Sequence, residues 1–267
     1  FPLSRNELVN NFIGIIDGLN ELYYNDGNSP LNDECYDELI DLIYNDYTEV
    51  QEHFKNHVGS KPMNSEGEEV NLPFYMGSMN KFKDHKQISL WTQKYSHHNV
   101  SQKIKYMISA KLDGISALFH NGKLYSRGNG TKGRDISFLL PYLNGGGEMA
   151  QISHVLRGEL IIKKDIFNKK YKSKYANARN LVCGVLNRNY SEEYSDFYHN
   201  INFVIYDVYQ DSLIPSEKFS IMKSLEHSYK GIHCVCFYSH GSQLTMEILN
   251  KVLMKMKNEY IYEIDGI

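Results

Sequence analysis

Apolar residues recur at helical spacing near the N-terminus and crowd into short, strand-like runs farther along. Residues 4 to 57 read as helical. Leu8, Phe12, Ile15, Ile16, Leu19, Leu22 and Tyr23 keep to one face of a 3.6-residue period, the mark of an amphipathic helix. Ser4 and Glu7 stand at capping-box spacing just ahead of that run. The turn-forming stretch Asn25-Asp26-Gly27-Asn28-Ser29-Pro30 ends the helix. Asn32 or Asp33 then caps a second helix carrying Tyr36, Leu39, Ile40, Ile43 and Tyr44. Two helices and a short loop predict an antiparallel hairpin, too small to bury much by itself.

Gly59 to Asn71 is polar and predicts a linker. Beyond it, residues 104–109, 116–120, 123–127, 154–162 and 201–209 are rich in β-branched and aromatic side chains and predict strands. His120-Asn121-Gly122-Lys123 supplies a hairpin turn between two of them. Residues 244–259 return to helical periodicity, and 260–267 resume a strand. The expected fold class is α+β. A small helical hairpin subdomain, residues 1–58, precedes a domain over 59–267 of largely antiparallel sheet flanked by helices.

Composition narrows the picture. With 267 residues, 42% hydrophobic and 23% charged, the chain can build a substantial core and does not read as disordered. No run approaches the roughly 20 apolar residues of a membrane span, and no secretory leader opens the chain. An intracellular location with no membrane partner is the expectation. A net charge of -3 does not announce a nucleic-acid binder, although a basic groove can be local. Cys35, Cys183, Cys234 and Cys236 lack metal-ligand spacing and are expected as reduced core thiols. His97-His98 lacks partner spacing too, and no protein metal site is predicted. The chain opens on Phe1 and stops at Ile267 inside a strand-like run, so it reads as part of a longer protein, its second domain cut short at the C-terminal end.

The sharpest chemical feature is Ala110-Lys111-Leu112-Asp113-Gly114, between two apolar strands. A lysine on a turn there faces a cleft and becomes a nucleophile once its proton is removed. Asp113, two residues on, points to the same side of an extended backbone. A lone KxDG is common by chance, so the weight lies in the ordered set of motifs downstream of it. Ser126-Arg127-Gly128-Asn129-Gly130-Thr131 offers a cation in a Gly-rich turn. Arg157-Gly158-Glu159, the loop Tyr175-Ala176-Asn177-Ala178-Arg179-Asn180, Ile205-Tyr206-Asp207 and Glu263-Ile264-Asp265-Gly266 complete the series.

That order resembles the motif series of the covalent nucleotidyltransferases, the superfamily of DNA ligases, RNA ligases and mRNA capping enzymes. Residues 126–135 are similar to the TRGDGxxGED signature of NAD-dependent DNA ligases, and Ala176-Asn177-Ala178-Arg179-Asn180 to their ANPRN stretch. Tyr23-Tyr24, then Asp33, Tyr36 and Asp37, look like the element with which NAD-dependent ligases hold the nicotinamide mononucleotide half of NAD, an element that ATP-dependent ligases lack.

The resemblance implies NAD and Mg²⁺ as cofactors and nicked duplex DNA as partner, with the protein acting as a monomer. Lys111 would attack the α-phosphate of NAD, releasing nicotinamide mononucleotide and leaving a lysyl-AMP, and the AMP would then pass to the 5′-phosphate of a nick. Asp113 and Asp265 would position the lysine, the metal or the nick. Arg127 and Glu159 would meet the ribose, and Tyr206 would stack on the adenine. Arg179 would face the phosphates or the nicotinamide half. Ser78 and Met79 would border the adenine pocket, and Tyr23, Asp33, Tyr36 and Asp37 would line the nicotinamide mononucleotide pocket. The chain departs from the family pattern at Tyr24, Ser109, Asn129, Arg134 and Arg188. Two alternatives stay open: an ATP-dependent DNA or RNA ligase with coincidental N-terminal helices, and a non-catalytic nucleotide- or DNA-binding module derived from a ligase.

Overall fold

The computed structural model describes residues 3–22, 30–31, 33–55, 69–96, 105–187, 190–241 and 244–267. Ser4 caps α1 (Arg5–Glu21) as its spacing predicts. Its Oγ accepts from the Glu7 N–H at 3.3 Å, and Glu7 Oε2 accepts from the Ser4 N–H at 2.7 Å. The second helix, α2 (Asp33–Asp46), is followed at once by a third, α3 (Thr48–Lys55). The expected two-helix hairpin is therefore corrected to a three-helix unit, and the reason is burial. Ile16, Ile43 and Val50, one from each helix, form a small core that two helices cannot close. Arg5 fastens α1 to α3 through a forked bond to Glu49, at 2.9 and 3.0 Å, holding that carboxyl down at about 2.

Residues 69–71, expected in a linker, form β1 (Glu69–Asn71). After it come α4 (His85–Ser96), β2 (Tyr106–Ser109), β3 (Lys111–Leu112), β4 (Ile115–His120), β5 (Lys123–Ser126) and β6 (Lys132–Arg134). Next are α5 (Gly146–Met149), β7 (Leu156–Ile162), α6 (Lys164–Lys170), α7 (Ala178–Leu186), α8 (Ser195–Tyr198) and β8 (Ile201–Val208). The chain closes with α9 (Pro215–Ser228), β9 (His233–Cys234), β10 (Phe237–His240), α10 (Met246–Glu259) and β11 (Ile264–Gly266). Gly145, at φ 77°, is the N-cap of the short helix α5. The expected strand over 260–267 shortens to β11, since Tyr260 ends α10 and Tyr262 turns into the core.

The main sheet runs β5-β4-β7-β8-β9, antiparallel except for the β8–β9 pair. Asn121 and Gly122 make the β4–β5 turn at φ 48° and 72°, the twist a two-residue hairpin demands. Smaller antiparallel pairs are β1–β6, β2–β10 and β3–β11. The core lies between the sheet and its helices, with Leu181, Val182 and Val185 of α7 and Met222 of α9 buried against strand residues such as Ala117, Leu160 and Ile205. Arg134 is buried and donates from Nη1 to the Leu186 carbonyl at 2.9 Å, satisfying an end of α7 that has no intrahelical partner. None of the four cysteines forms a disulfide. Cys183 and Cys234 are buried, but Cys35 is exposed rather than in the core. No helix among the described residues is long and apolar enough to cross a membrane.

Candidate active site

Lys111 stands on β3, not on a free turn. Its strand pairs with β11, where Gly266 lies opposite Lys111 and Ile264 opposite Leu112. The register shifts between Ile264 and Gly266, so Asp265 occupies a bulge. A bulge re-aims the side chain it carries, and the Asp265 carboxylate forms an ion pair with the Lys111 Nζ. The backbone continues the same clamp, because the Asp113 N–H donates to the Glu263 carbonyl at 3.0 Å.

Asp113 makes its own ion pair, accepting from Arg179 Nη1 at 3.3 Å. The stretch expected as a loop, 175–180, in fact opens a helix. Asn177 is the N-cap of α7, its Oδ1 accepting from the Asn180 N–H at 2.7 Å, and Arg179 sits in the first turn. Arg179 is thereby fixed by a helix rather than by a loop. Lysine, aspartate, arginine and aspartate thus meet across the mouth of the site.

Beneath them lies Glu159 on β7, 6% exposed. Its register partner on β4 is Ser116, whose Oγ donates to Glu159 Oε2 at 2.9 Å. Burial pushes the Glu159 carboxyl up to about 7, and Asp265 adds to this, although Arg179, Ser116 and Lys111 pull the other way. Tyr206, half-buried on β8, faces the same Glu159 and Ser116, and burial pushes its phenol up to about 12.

Gly114 is what lets the lysine segment lie this close to β7. A Cβ there would stand 2.5 Å from the Leu160 carbonyl oxygen and 2.8 Å from Glu159 Cγ. Gly114→Ala must therefore push β3 and β7 apart, at a cost of about 1–3 kcal/mol for an overpacked site. The expected result is a lower melting temperature, read by thermal unfolding.

A second group flanks this one. Arg127 donates from Nε to the Met76 carbonyl at 3.0 Å and from Nη2 to Ser78 Oγ at 2.8 Å. Its guanidinium, like that of Arg157, is felt at the Tyr206 phenol. Met79 follows on the same segment and is largely exposed. In the helical unit, the half-buried Tyr36 donates its hydroxyl to Asn20 Oδ1 at 2.7 Å. Asp33 and Asp37 stand on α2, whereas Tyr23, like Tyr24, His97, His98 and Arg188, lies outside the described residues. Lys83, just before α4, reaches back to Asp41 of α2 at 3.3 Å.

The structure therefore gathers Lys111, Asp113, Asp265, Glu159 and Arg179, brings Tyr206 beside Glu159, and joins Arg127 to Ser78. Sequence reasoning missed Ser116, which carries no local signal, and gave Arg157 no role, although it lies two residues from Glu159 on a strand. Among the described residues no three His, Cys, Asp or Glu side chains could hold a metal ion.

A family model for the NAD-dependent DNA ligase adenylation domain matches residues 65–267. The chain is 37% identical over 257 residues to the DNA ligase of Acanthamoeba polyphaga mimivirus, covering 92% of this chain and 37% of that protein. It is 33% identical over 258 residues to the putative DNA ligase 205R of Invertebrate iridescent virus 6, covering 92% and 38%. With the DNA ligase of Borrelia hermsii it shares 29% identity over 273 residues, covering 95% and 40%. The chain thus spans well under half the length of these relatives. Ordered motifs, a lysine clamped across a bulge and a family match over most of the chain agree: this chain belongs to the NAD-dependent DNA ligase adenylation domain family.

Proposed function

We propose that this chain carries out the first step of an NAD-dependent DNA ligase, with Lys111 as the nucleophile. One observation carries the reading: the Lys111 amine is held by Asp265 from the β11 bulge, beside the Arg179–Asp113 pair and above the buried Glu159. An ammonium cannot attack, and Asp265 is placed to take its proton. The freed Nζ bonds to the adenylyl phosphorus of NAD, and the bond from that phosphorus to the bridging oxygen breaks. Nicotinamide mononucleotide leaves with the electron pair, and lysyl-AMP remains on the chain.

Charge in phosphoryl transfer spreads over oxygens, which guanidinium groups aimed at them stabilise. Arg179 fills that role, and Asp113 holds its guanidinium in place. Asp113 and Asp265 would help hold a Mg²⁺ ion entering with the substrate, and that ion would supply further positive charge. Glu159 and Arg127 take the ribose, Tyr206 the adenine, and Ser78 and Met79 the border of that pocket. Residues 1–58 form the nicotinamide mononucleotide-binding unit through Tyr23, Asp33, Tyr36 and Asp37, and residues 59–267 the adenylation domain. In the whole protein, acting as an intracellular monomer, the AMP then passes to the 5′-phosphate of nicked duplex DNA for sealing.

The helical unit gives the sharper test. Tyr36→Ala and Asp33→Ala should keep a folded chain yet lose at least about tenfold in AMP uptake from NAD at subsaturating concentration. Uptake equal to the parent's in both variants would leave α2 no part in NAD use.

A further inference from the structure

The segment after β1 is stitched to the sheet from two sides. The Leu72 N–H donates to the Thr131 carbonyl at 2.8 Å, and the Met76 N–H to the Gly130 carbonyl at 2.9 Å. Arg127 then grips Met76 and Ser78 from the β5–β6 side. From β7 comes a second arginine. Arg157 Nη2 donates to the Tyr75 carbonyl at 2.6 Å, while Nη1 reaches Asp207 Oδ2 at 3.4 Å. Its guanidinium lies over the Tyr209 ring, 4.4 Å from the centroid. The other Asp207 oxygen is taken by Lys218 at 3.0 Å, so the carboxylate that orients Arg157 is itself fixed. Phe74, next to Tyr75, packs on Tyr209 and His120 with centroids 4.8 and 5.1 Å away.

Successive residues of a strand point to opposite faces, so Arg157 and Glu159 share one face of β7. We propose that Arg157 is a positioning residue for nucleotide binding: it fixes residues 74–79 as a wall of the pocket whose floor is Glu159. The inference rests on the ligase reading above and extends it. Arg157 touches neither the nucleophile nor its partners. It acts through the wall, and the wall carries Ser78 and Met79. A lysine cannot replace it, because one ammonium cannot serve a carbonyl, a carboxylate and a ring face at once, whereas a planar fork can.

The test uses the full chain with Arg157→Lys, and with Tyr209→Leu as a second variant that removes the ring beneath the guanidinium while leaving the charge. Both should raise the NAD concentration for half-maximal adduct formation by about tenfold, with the rate at saturating NAD within about twofold of the parent, the split expected when binding alone is lost. Amide hydrogen exchange should quicken by about tenfold or more over residues 74–79 and stay as in the parent over β4, β7 and β8. A parent-like NAD dependence in Arg157→Lys would overturn the inference. So would a fall in the saturated rate with unchanged NAD dependence, which is what a merely structural ion pair gives. A parent chain that takes no AMP from NAD would overturn the ligase reading and this inference with it. That outcome is distinct from failure of the wall alone, in which the parent is labelled and the variants label like it.

Discussion

Lys111→Ala is expected to abolish AMP uptake while leaving the chain folded. The lysine side chain is 36% exposed and its partner Asp265 30%. Removing an ion pair this open to water changes stability by about 0–1 kcal/mol, so the melting temperature should hardly move. Uptake should fall below detection, because the other cations gathered at this site are guanidinium groups. A guanidinium group has no lone pair to offer as a nucleophile. Transfer of labelled AMP to the denatured, washed protein is the readout. Label retained in Lys111→Ala would place the nucleophile elsewhere.

The second large effect concerns Glu159 and appears as a trade between stability and function. Its carboxyl is raised from about 4.5 to about 7 in the folded chain, chiefly by burial. Between those values the unfolded chain loses the proton and the folded chain keeps it, so the folded chain binds more protons and stability falls as pH rises. The favourable fit of the neutral carboxyl is fully present below pH 4.5 and lost as pH climbs through about 7. A shift of this size corresponds to about 3 kcal/mol at pH 8. Glu159→Gln keeps the shape and an acceptor for Ser116 without the charge. It should unfold like the parent near pH 5 and be more stable than the parent at pH 8 by a few kcal/mol. Its AMP uptake at subsaturating NAD should be lower, since a carboxylate acceptor has been replaced by an amide. Urea unfolding at the two pH values checks this. A variant less stable than the parent at both would show that the Glu159 charge is already satisfied in the fold.

The strands and the ordered motifs were legible because they rest on local pattern. β4, β5, β7 and β8 follow β-branched and aromatic runs, and Asn121-Gly122 announces its turn. What was hidden depends on partners distant in sequence. Val50 looks unremarkable until it closes a core with Ile16 and Ile43. Residues 69–71 read as linker because a three-residue strand has no period of its own and exists only against β6. The 175–180 stretch read as a loop because its polar residues mask a helix start, yet Asn177 is a good N-cap by its side-chain chemistry alone.

The site divides in the same way. Lys111, Asp113, Glu159, Arg179 and Asp265 were legible as motif residues, but their pairing was not. That Asp265 meets Lys111 depends on a bulge in β11, and that Arg179 meets Asp113 depends on where α7 packs. Arg134 stands where the family pattern has an acid, and only the fold shows its use, as a donor to the last carbonyl of α7. Ser116 acquires meaning solely from lying opposite Glu159 in the sheet.

If Lys111 takes AMP from NAD, the transfer is visible as added mass on the chain. Intact-mass spectrometry of the full chain after incubation with Mg²⁺ and either NAD or ATP tests it most directly. The expected result is a single added AMP from NAD, none from ATP, and the adduct mapping to the peptide that contains Lys111. An adduct from ATP alone, or from neither nucleotide, would contradict it.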